Sequence, residues 1–181
     1  MRAFIAVPIS DESKETVASL ISDLSGGNFK IVQKENFHLT LKFLGEIDEN
    51  QLEAIKTLLE NFSKTHSKFQ ATLNSVGAFP NEGHVKVLWV GLAPQEEYEK
   101  MAQELDQSIH DIGFKKEKSY TPHVTFSRVK YVDDKEKIKA FLQKHKNEDF
   151  GEVQIDRIIL MKSELTPEGP TYTEISSYPL T

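Results

Sequence analysis

Two short stretches carry the residue types from which acid–base chemistry is built: His38-Leu39-Thr40-Leu41 and His123-Val124-Thr125-Phe126. Each reads His, apolar, Thr, apolar. In an extended segment successive side chains point to opposite faces, so each stretch buries its apolar residues and presents an imidazole beside a hydroxyl. One such stretch could be an edge strand with a polar solvent face. Two of them admit a chemical reading. A pair of imidazoles straddling a ligand suits catalysis near neutral pH, with one ring as base and the other as acid. Two hydroxyls beside them could donate hydrogen bonds to phosphoryl oxygens where negative charge accumulates. Phosphodiester hydrolysis uses these parts, and no metal is required.

The elements that must position these residues repeat along the chain. "RAFIAVP" reads as a strand, followed by a helix starting at Ser10 with Val17, Leu20, Ile21 and Leu24 at helical spacing, stopped by Gly26-Gly27. The His38 strand follows and ends at Gly45. Asp48 and Gln51 form the pattern of a capping box before a helix striped with Leu52, Ile55, Leu59 and Phe62. "FQATLNSVGAF" is the next strand. The order then recurs: "VKVLWVGL" as a strand, and a helix from Pro94 bearing Tyr98, Met101, Leu105 and Ile109. "TPHVTFSRV" follows as a strand, Asp133-Asp134 opens a helix with Ile138, Phe141 and Leu142, and "VQIDRIILMKS" and "YTEISSYPL" close as strands. His38 and His123 lie 85 positions apart, as do Asp48 and Asp133, while Phe4 and Val87 lie 83 apart. Offsets this steady predict an internal duplication, with repeat halves near 1–83 and 84–181 in a single bilobal domain. Approximate two-fold symmetry between the halves would bring His38 and His123 to a shared cleft, with Thr40 and Thr125 beside them.

Composition narrows the alternatives. The chain has 181 residues, enough for one domain with a substantial core, and no cysteine, which excludes disulfides, thiolate metal sites and cysteine nucleophiles. The apolar start "MRAFIAV" ends at Pro8, too short for a signal peptide, and no stretch reaches bilayer length, so a cytoplasmic protein without membrane contact is expected. A net charge of −6 argues against non-specific coating of nucleic acid. Basic residues nevertheless concentrate in "KKEKSYTPHVTFSRVK", where Lys115, Lys116, Lys118, Arg128 and Lys130 face the single acid Glu117. The pattern His-Glu-x-x-His and a Gly-rich phosphate loop are both missing, and no carboxylate shares the His-Thr face of either strand, so no metal site and no cofactor is expected. His66, His84, His110 and His145 stand in polar surroundings and read as surface residues. Lys42, which strict alternation places beside His38 and Thr40, is a candidate substrate contact.

With both motifs in place, the chain resembles the 2H phosphoesterases, and more closely the RNA 2′,3′-cyclic phosphodiesterases, also called 2′-5′ RNA ligases. The resemblance runs nearly end to end, through "MRAFIAVPI", "ENFHLTLKFLGEID", "VGAFP", "VKVLWVGL", "YTPHVTFSRV" and "LMKSELTPEGPTYTEISSYPL". It implies an α+β fold of two antiparallel sheets related by a pseudo-two-fold, with helices on the outer faces and a cleft between. It implies hydrolysis of a terminal 2′,3′-cyclic phosphate to a 2′-phosphate. His38 would then be the proton donor and His123 the proton acceptor, with Thr40 and Thr125 on the phosphoryl oxygens. Arg128 matches a basic residue that often follows the second motif and is assigned a phosphate contact. Strict alternation turns Arg128 away from the cleft, so that contact needs a bulge in its strand. Ile31 and Lys34 stand where relatives often carry Trp and Pro, and a missing aromatic would weaken base stacking. The expected partner is RNA ending in a 2′,3′-cyclic phosphate, or a small cyclic nucleotide, met by a monomer. Two other readings use the same residues: an RNA-end or nucleotide binding module without turnover, and 2′-5′ RNA ligation with the same site.

Overall fold

The computed structural model describes all 181 residues. Nine strands and four α-helices follow one another as β1 (Arg2–Pro8), α1 (Asp11–Ala18), β2 (Gly27–Ile31), β3 (His38–Glu46), α2 (Glu49–Lys64), β4 (Phe69–Asn81), β5 (His84–Ala93), α3 (Glu96–Asp111), β6 (His123–Val132), α4 (Lys135–His145), β7 (Asp149–Ile155), β8 (Arg157–Thr166) and β9 (Gly169–Pro179). The starts of α1, α2 and α4 are those written in the sequence; α3 begins at Glu96, two residues after Pro94 and behind a Gln95 that makes no side-chain cap bond, and the helix expected through Leu24 gives way after Ala18 to a 3-10 segment over Ser19–Asp23. Asp48 caps α2 by accepting from the Gln51 N–H at 2.8 Å while the Gln51 side chain accepts from the Asp48 N–H, so the capping box is complete. Asp134 caps α4. Two elements depart from the expected order. The short β2 falls in a segment with no strong apolar alternation, and the strand expected across 153–163 is two strands, broken at Asp156.

All strand pairings are antiparallel. One sheet has the order β3-β1-β8-β9 and the other β2-β6-β5-β4-β7. Each motif strand lies beside the opening strand of its own half, β3 on β1 and β6 on β5. The next strand is exchanged: β4 joins the second sheet and β8 the first. The helices exchange as well, for α1 packs on β7 while α3 packs on β3; α2 covers β8 and β9, and α4 covers β4. The halves of the sequence are thus interleaved in space, which ties the two sheets into one core.

That core is a single cluster of 39 buried residues between sheets and helices, including Ile5, Leu39, Leu59, Leu88, Leu105 and Phe126. Burying one such side chain contributes roughly 1.5–3 kcal/mol. Phe4, Ala6 and Ile159 form a separate small cluster on the opposite face of the first sheet, against Met161 and Tyr172. β1 therefore feeds both faces: Ala3, Ile5 and Val7 enter the main core, and Phe4 and Ala6 point to the side that carries the cleft. No helix is long and apolar enough to cross a membrane.

Candidate active site

Both motif strands carry the same irregularity. In the β1–β3 ladder Ala6 faces Thr40 and Ile5 faces Lys42, so Leu41 is an extra residue. In the β5–β6 ladder Trp89 faces Thr125 and Leu88 faces Ser127, so Phe126 is the extra one. A bulge of this kind turns the rest of its strand over. The two residues after each threonine are consecutively buried, Leu41-Lys42 and Phe126-Ser127. The next residues, Phe43 and Arg128, return to the cleft face. Phe4 pairs with Phe43 and Val87 with Arg128, the 83-residue offset read from the sequence.

These bulges decide on which side the two sequence-assigned basic residues fall. Arg128 reaches the cleft beyond Thr125, in the manner its assignment required. Lys42 does not, which corrects its reading as a substrate contact. Its ammonium group is buried on the other side of β3, 2.7 Å from the Asp106 carboxylate, and donates to the Lys115 carbonyl. Phe43, which alternation would have buried with Leu39 and Leu41, is instead 63% exposed in the cleft. Of the basic run before and through β6, only Arg128 lines the cleft.

The cleft between the sheets has a volume of about 580 Å³ and is lined by His38, Thr40, His123 and Thr125. Each imidazole is held the same way. Nδ1 of His38 donates to the Asn36 carbonyl at 2.7 Å, and Nδ1 of His123 donates to the Thr121 carbonyl at 2.9 Å. A carbonyl only accepts, so the Nδ1 proton is fixed and Nε2 is the atom free to exchange a proton. In the neutral ring, His38 Nε2 accepts from the Thr40 hydroxyl at 2.7 Å. Phe4 and Tyr172 pack against the His38 ring at 4.9 and 5.5 Å, while Phe79 meets the His123 ring edge-on at 4.9 Å. Burial pushes His38 down to about 4, with the nearby His123 adding to the shift, and burial also lowers His123. Both shifts favour the neutral ring.

The sequence reading did not single out four further lining residues: Arg2, Lys30, Phe43 and Tyr172. Arg2 shares the alternation of Phe4 and Ala6 on β1 and was legible in principle. Lys30 required β2, and Phe43 the bulge. His145, expected at the surface, is buried, with Nδ1 on Glu148 and Nε2 3.1 Å from Asp23. It continues the stripe of Ile138, Phe141 and Leu142 by one helical turn, and that periodicity outweighed its polar neighbours in sequence. No group of three or more His, Asp or Glu side chains is arranged to hold a metal ion.

The chain has full-length relatives among known proteins. Over 98% of its length the chain is 39% identical to the whole of the RNA 2′,3′-cyclic phosphodiesterase of Methanocaldococcus jannaschii. It is 35% identical to the protein of that name from Thermotoga maritima, over 95% of this chain and 91% of the other. Among solved structures, TT0787 of Thermus thermophilus superposes with a TM-score of 0.83 at 27% identity, covering 99% of this chain and 98% of that one. Escherichia coli LigT, crystallised with 3′-AMP, shares the fold at a TM-score of 0.80 and 22% identity, covering 99% of this chain and 98% of that one. The family model described as LigT-like phosphoesterase matches twice in succession, over residues 7–89 and 90–172, and on that coverage the chain belongs to the LigT-like phosphoesterase family.

Proposed function

We propose that the chain hydrolyses the 2′,3′-cyclic phosphate at an RNA end to a 2′-phosphomonoester, with His123 as base and His38 as acid. One observation carries the proposal: two imidazoles share one cleft, each with Nδ1 tied to a backbone carbonyl and a threonine hydroxyl two residues on. The relatives named for this activity support the substrate class.

The scheme balances without a metal ion. No protein group bonds His123 Nε2, so its lone pair is open to take a proton from water as the water oxygen attacks phosphorus. The bond from phosphorus to O3′ breaks, and His38 gives its Nε2 proton to the departing oxygen. The two rings then exchange a proton through solvent to restore the starting state. A bound phosphodiester anion favours an imidazolium beside it and offsets the burial that disfavours one. Protonating His38 Nε2 also turns that atom from acceptor into donor. The Thr40 hydroxyl hydrogen is then released from the ring and can donate to a phosphoryl oxygen, as can that of Thr125. Arg128, on the same face of β6, is a further substrate-binding residue of the cleft. Ligation to a 5′-hydroxyl is the same scheme with that hydroxyl attacking phosphorus in place of water, O3′ departing as before, and water, the abundant nucleophile, favours hydrolysis.

The test is a short RNA ending in a 2′,3′-cyclic phosphate, incubated with chelator and followed by phosphorus NMR. A 2′-phosphate from the wild type, and none from His38→Ala or His123→Ala, is the expected result. A cyclic phosphate left intact by the wild type would overturn the proposal.

A further inference from the structure

We infer that the cleft holds a second phosphate subsite, formed by Arg2, Lys30 and Arg128, that takes the phosphate on the 5′ oxygen of the terminal nucleotide. The inference rests on the proposed hydrolysis and extends it to the substrate class. Three elements bring the cations together. Lys30 on β2 lies directly opposite Arg128 on β6 in the strand ladder, and both line the cleft. Arg2 stands at the start of β1, in the other sheet, and lines the same cleft together with Tyr172. None of the three makes an ion pair within the protein.

Such a grouping is unexpected in a chain of net charge −6, where a surface cation readily finds a carboxylate. The cleft lining contains three cations and a single acid, Glu168 in the β8–β9 turn. One reacting phosphodiester carries a single negative charge and already has two imidazoles and two hydroxyls. The remaining cations fit a second anion. Thr125 and Arg128 are successive cleft-facing residues of one strand, roughly 7 Å apart along it, which is about the reach of one ribose. A nucleotide whose 2′ and 3′ oxygens are closed into the cyclic phosphate has only its 5′ oxygen left to bear another phosphate. That phosphate is either the diester leading into an RNA chain or a free 5′-monoester.

Binding of unreactive product analogues tests this without relying on turnover. The probes are a nucleoside 2′-phosphate, the same nucleoside with 2′- and 5′-phosphates, and a dinucleotide ending in a 2′-phosphate, each titrated by calorimetry. Tighter binding of both larger probes, by about tenfold or more, is expected from charge-assisted hydrogen bonds. The advantage should shrink toward one in Arg2→Gln and Lys30→Gln. A dinucleotide advantage without a bisphosphate advantage identifies the RNA diester as the natural occupant, and the reverse identifies a mononucleotide; both outcomes support the subsite. Equal dissociation constants for all three probes, or an advantage untouched by both substitutions, would overturn it. Absent hydrolysis of cyclic phosphates with the binding advantage intact would instead fault the hydrolytic reading and leave the subsite standing.

Discussion

Lys42 and Asp106 form an ion pair 2.7 Å long with side chains 1% and 0% exposed, joining the strand of the first motif to α3. Burial works to raise the Asp106 carboxyl, but Lys42, the Tyr120 hydroxyl at 2.6 Å and the Glu117 N–H at 3.1 Å outweigh it and hold the group below its ordinary range. Tyr120 and Glu117 belong to the segment that leads into β6, so the pair fastens the approach to His123 onto the strand of His38. Removing one partner unbalances a buried charge: Asp106 keeps only the neutral donors Tyr120 and Glu117 N–H, and Lys42 keeps only the part-exposed Glu117 carboxylate at 3.5 Å as a counter-charge. Lys42→Met and Asp106→Asn should each cost about 3–5 kcal/mol in urea unfolding, and Lys42→Met with Asp106→Leu should recover most of it. A native carboxyl pKa below the unfolded value of 3.8 contributes stability that is present above that value and lost as pH falls through the native one. Asp106→Asn should therefore flatten the acid limb of the stability curve. Single variants as stable as wild type would rule out this role.

The threonines are expected to act on the chemical step. A donor aimed at a developing phosphoryl charge is worth roughly 10²–10³ in kcat. Thr125→Val keeps the shape and removes the hydroxyl, so kcat on a cyclic phosphate should fall by about that factor while KM changes little. Thr125→Ser should retain most activity. Steady-state kinetics on the three proteins checks this, and a Thr125→Val enzyme with unchanged kcat would remove the hydroxyl from the mechanism.

What the sequence could and could not reveal follows from one feature. His38, Thr40, His123 and Thr125 precede the bulges, so period-two alternation placed them correctly on one face. Beyond Thr40 and Thr125 the period fails, because an extra residue in a strand has no signature in polarity: "LKF" and "FSR" are each compatible with either register. That single uncertainty sent Lys42 to the cleft and Phe43 to the core, and left Arg128 waiting on a bulge. The exchange of β4 and β8 between sheets was equally hidden, since strand pairing over long separations leaves no local trace. The starts of α1, α2 and α4 were legible because caps are local chemistry, whereas α3, whose Gln95 makes no side-chain cap bond, starts two residues beyond Pro94.

The pH dependence should separate the free from the occupied site. The scheme needs one ring charged and one neutral, and burial lowers both, His38 to about 4. In the free enzyme the singly protonated form therefore lies on the acid side of the ordinary histidine value of 6.5, and the cyclic phosphodiester does not titrate there. The value of kcat/KM, which reports free enzyme, should peak below pH 6.5 and decline through neutrality. Since the bound anion raises both rings, kcat should peak at higher pH. Imidazole proton shifts, followed by NMR titration with and without a 2′-phosphate product, give the two sets of pKa values directly. Identical profiles for kcat and kcat/KM would contradict the anion's part in charging His38.

Phe43 and Arg128 occupy equivalent places after equivalent bulges, yet one is aromatic and the other cationic, so the two walls of the cleft offer a ligand different surfaces. An aromatic ring 63% exposed at the mouth of a nucleotide-sized cleft is a platform for a base. Ile31, which also lines the cleft, has no π-face to share that work. Stacking of this kind is worth about 1–3 kcal/mol per base, so Phe43→Ala should raise KM for a nucleoside 2′,3′-cyclic phosphate by roughly 5- to 150-fold with kcat nearly unchanged. Ribose 2′,3′-cyclic phosphate, which has no base, provides the control. Its KM should be the same for Phe43→Ala and wild type, because a ligand without a base loses no stacking. Equal losses on both substrates would mean that Phe43 shapes the cleft through Phe4, 6.4 Å away and packed on His38, rather than through the base.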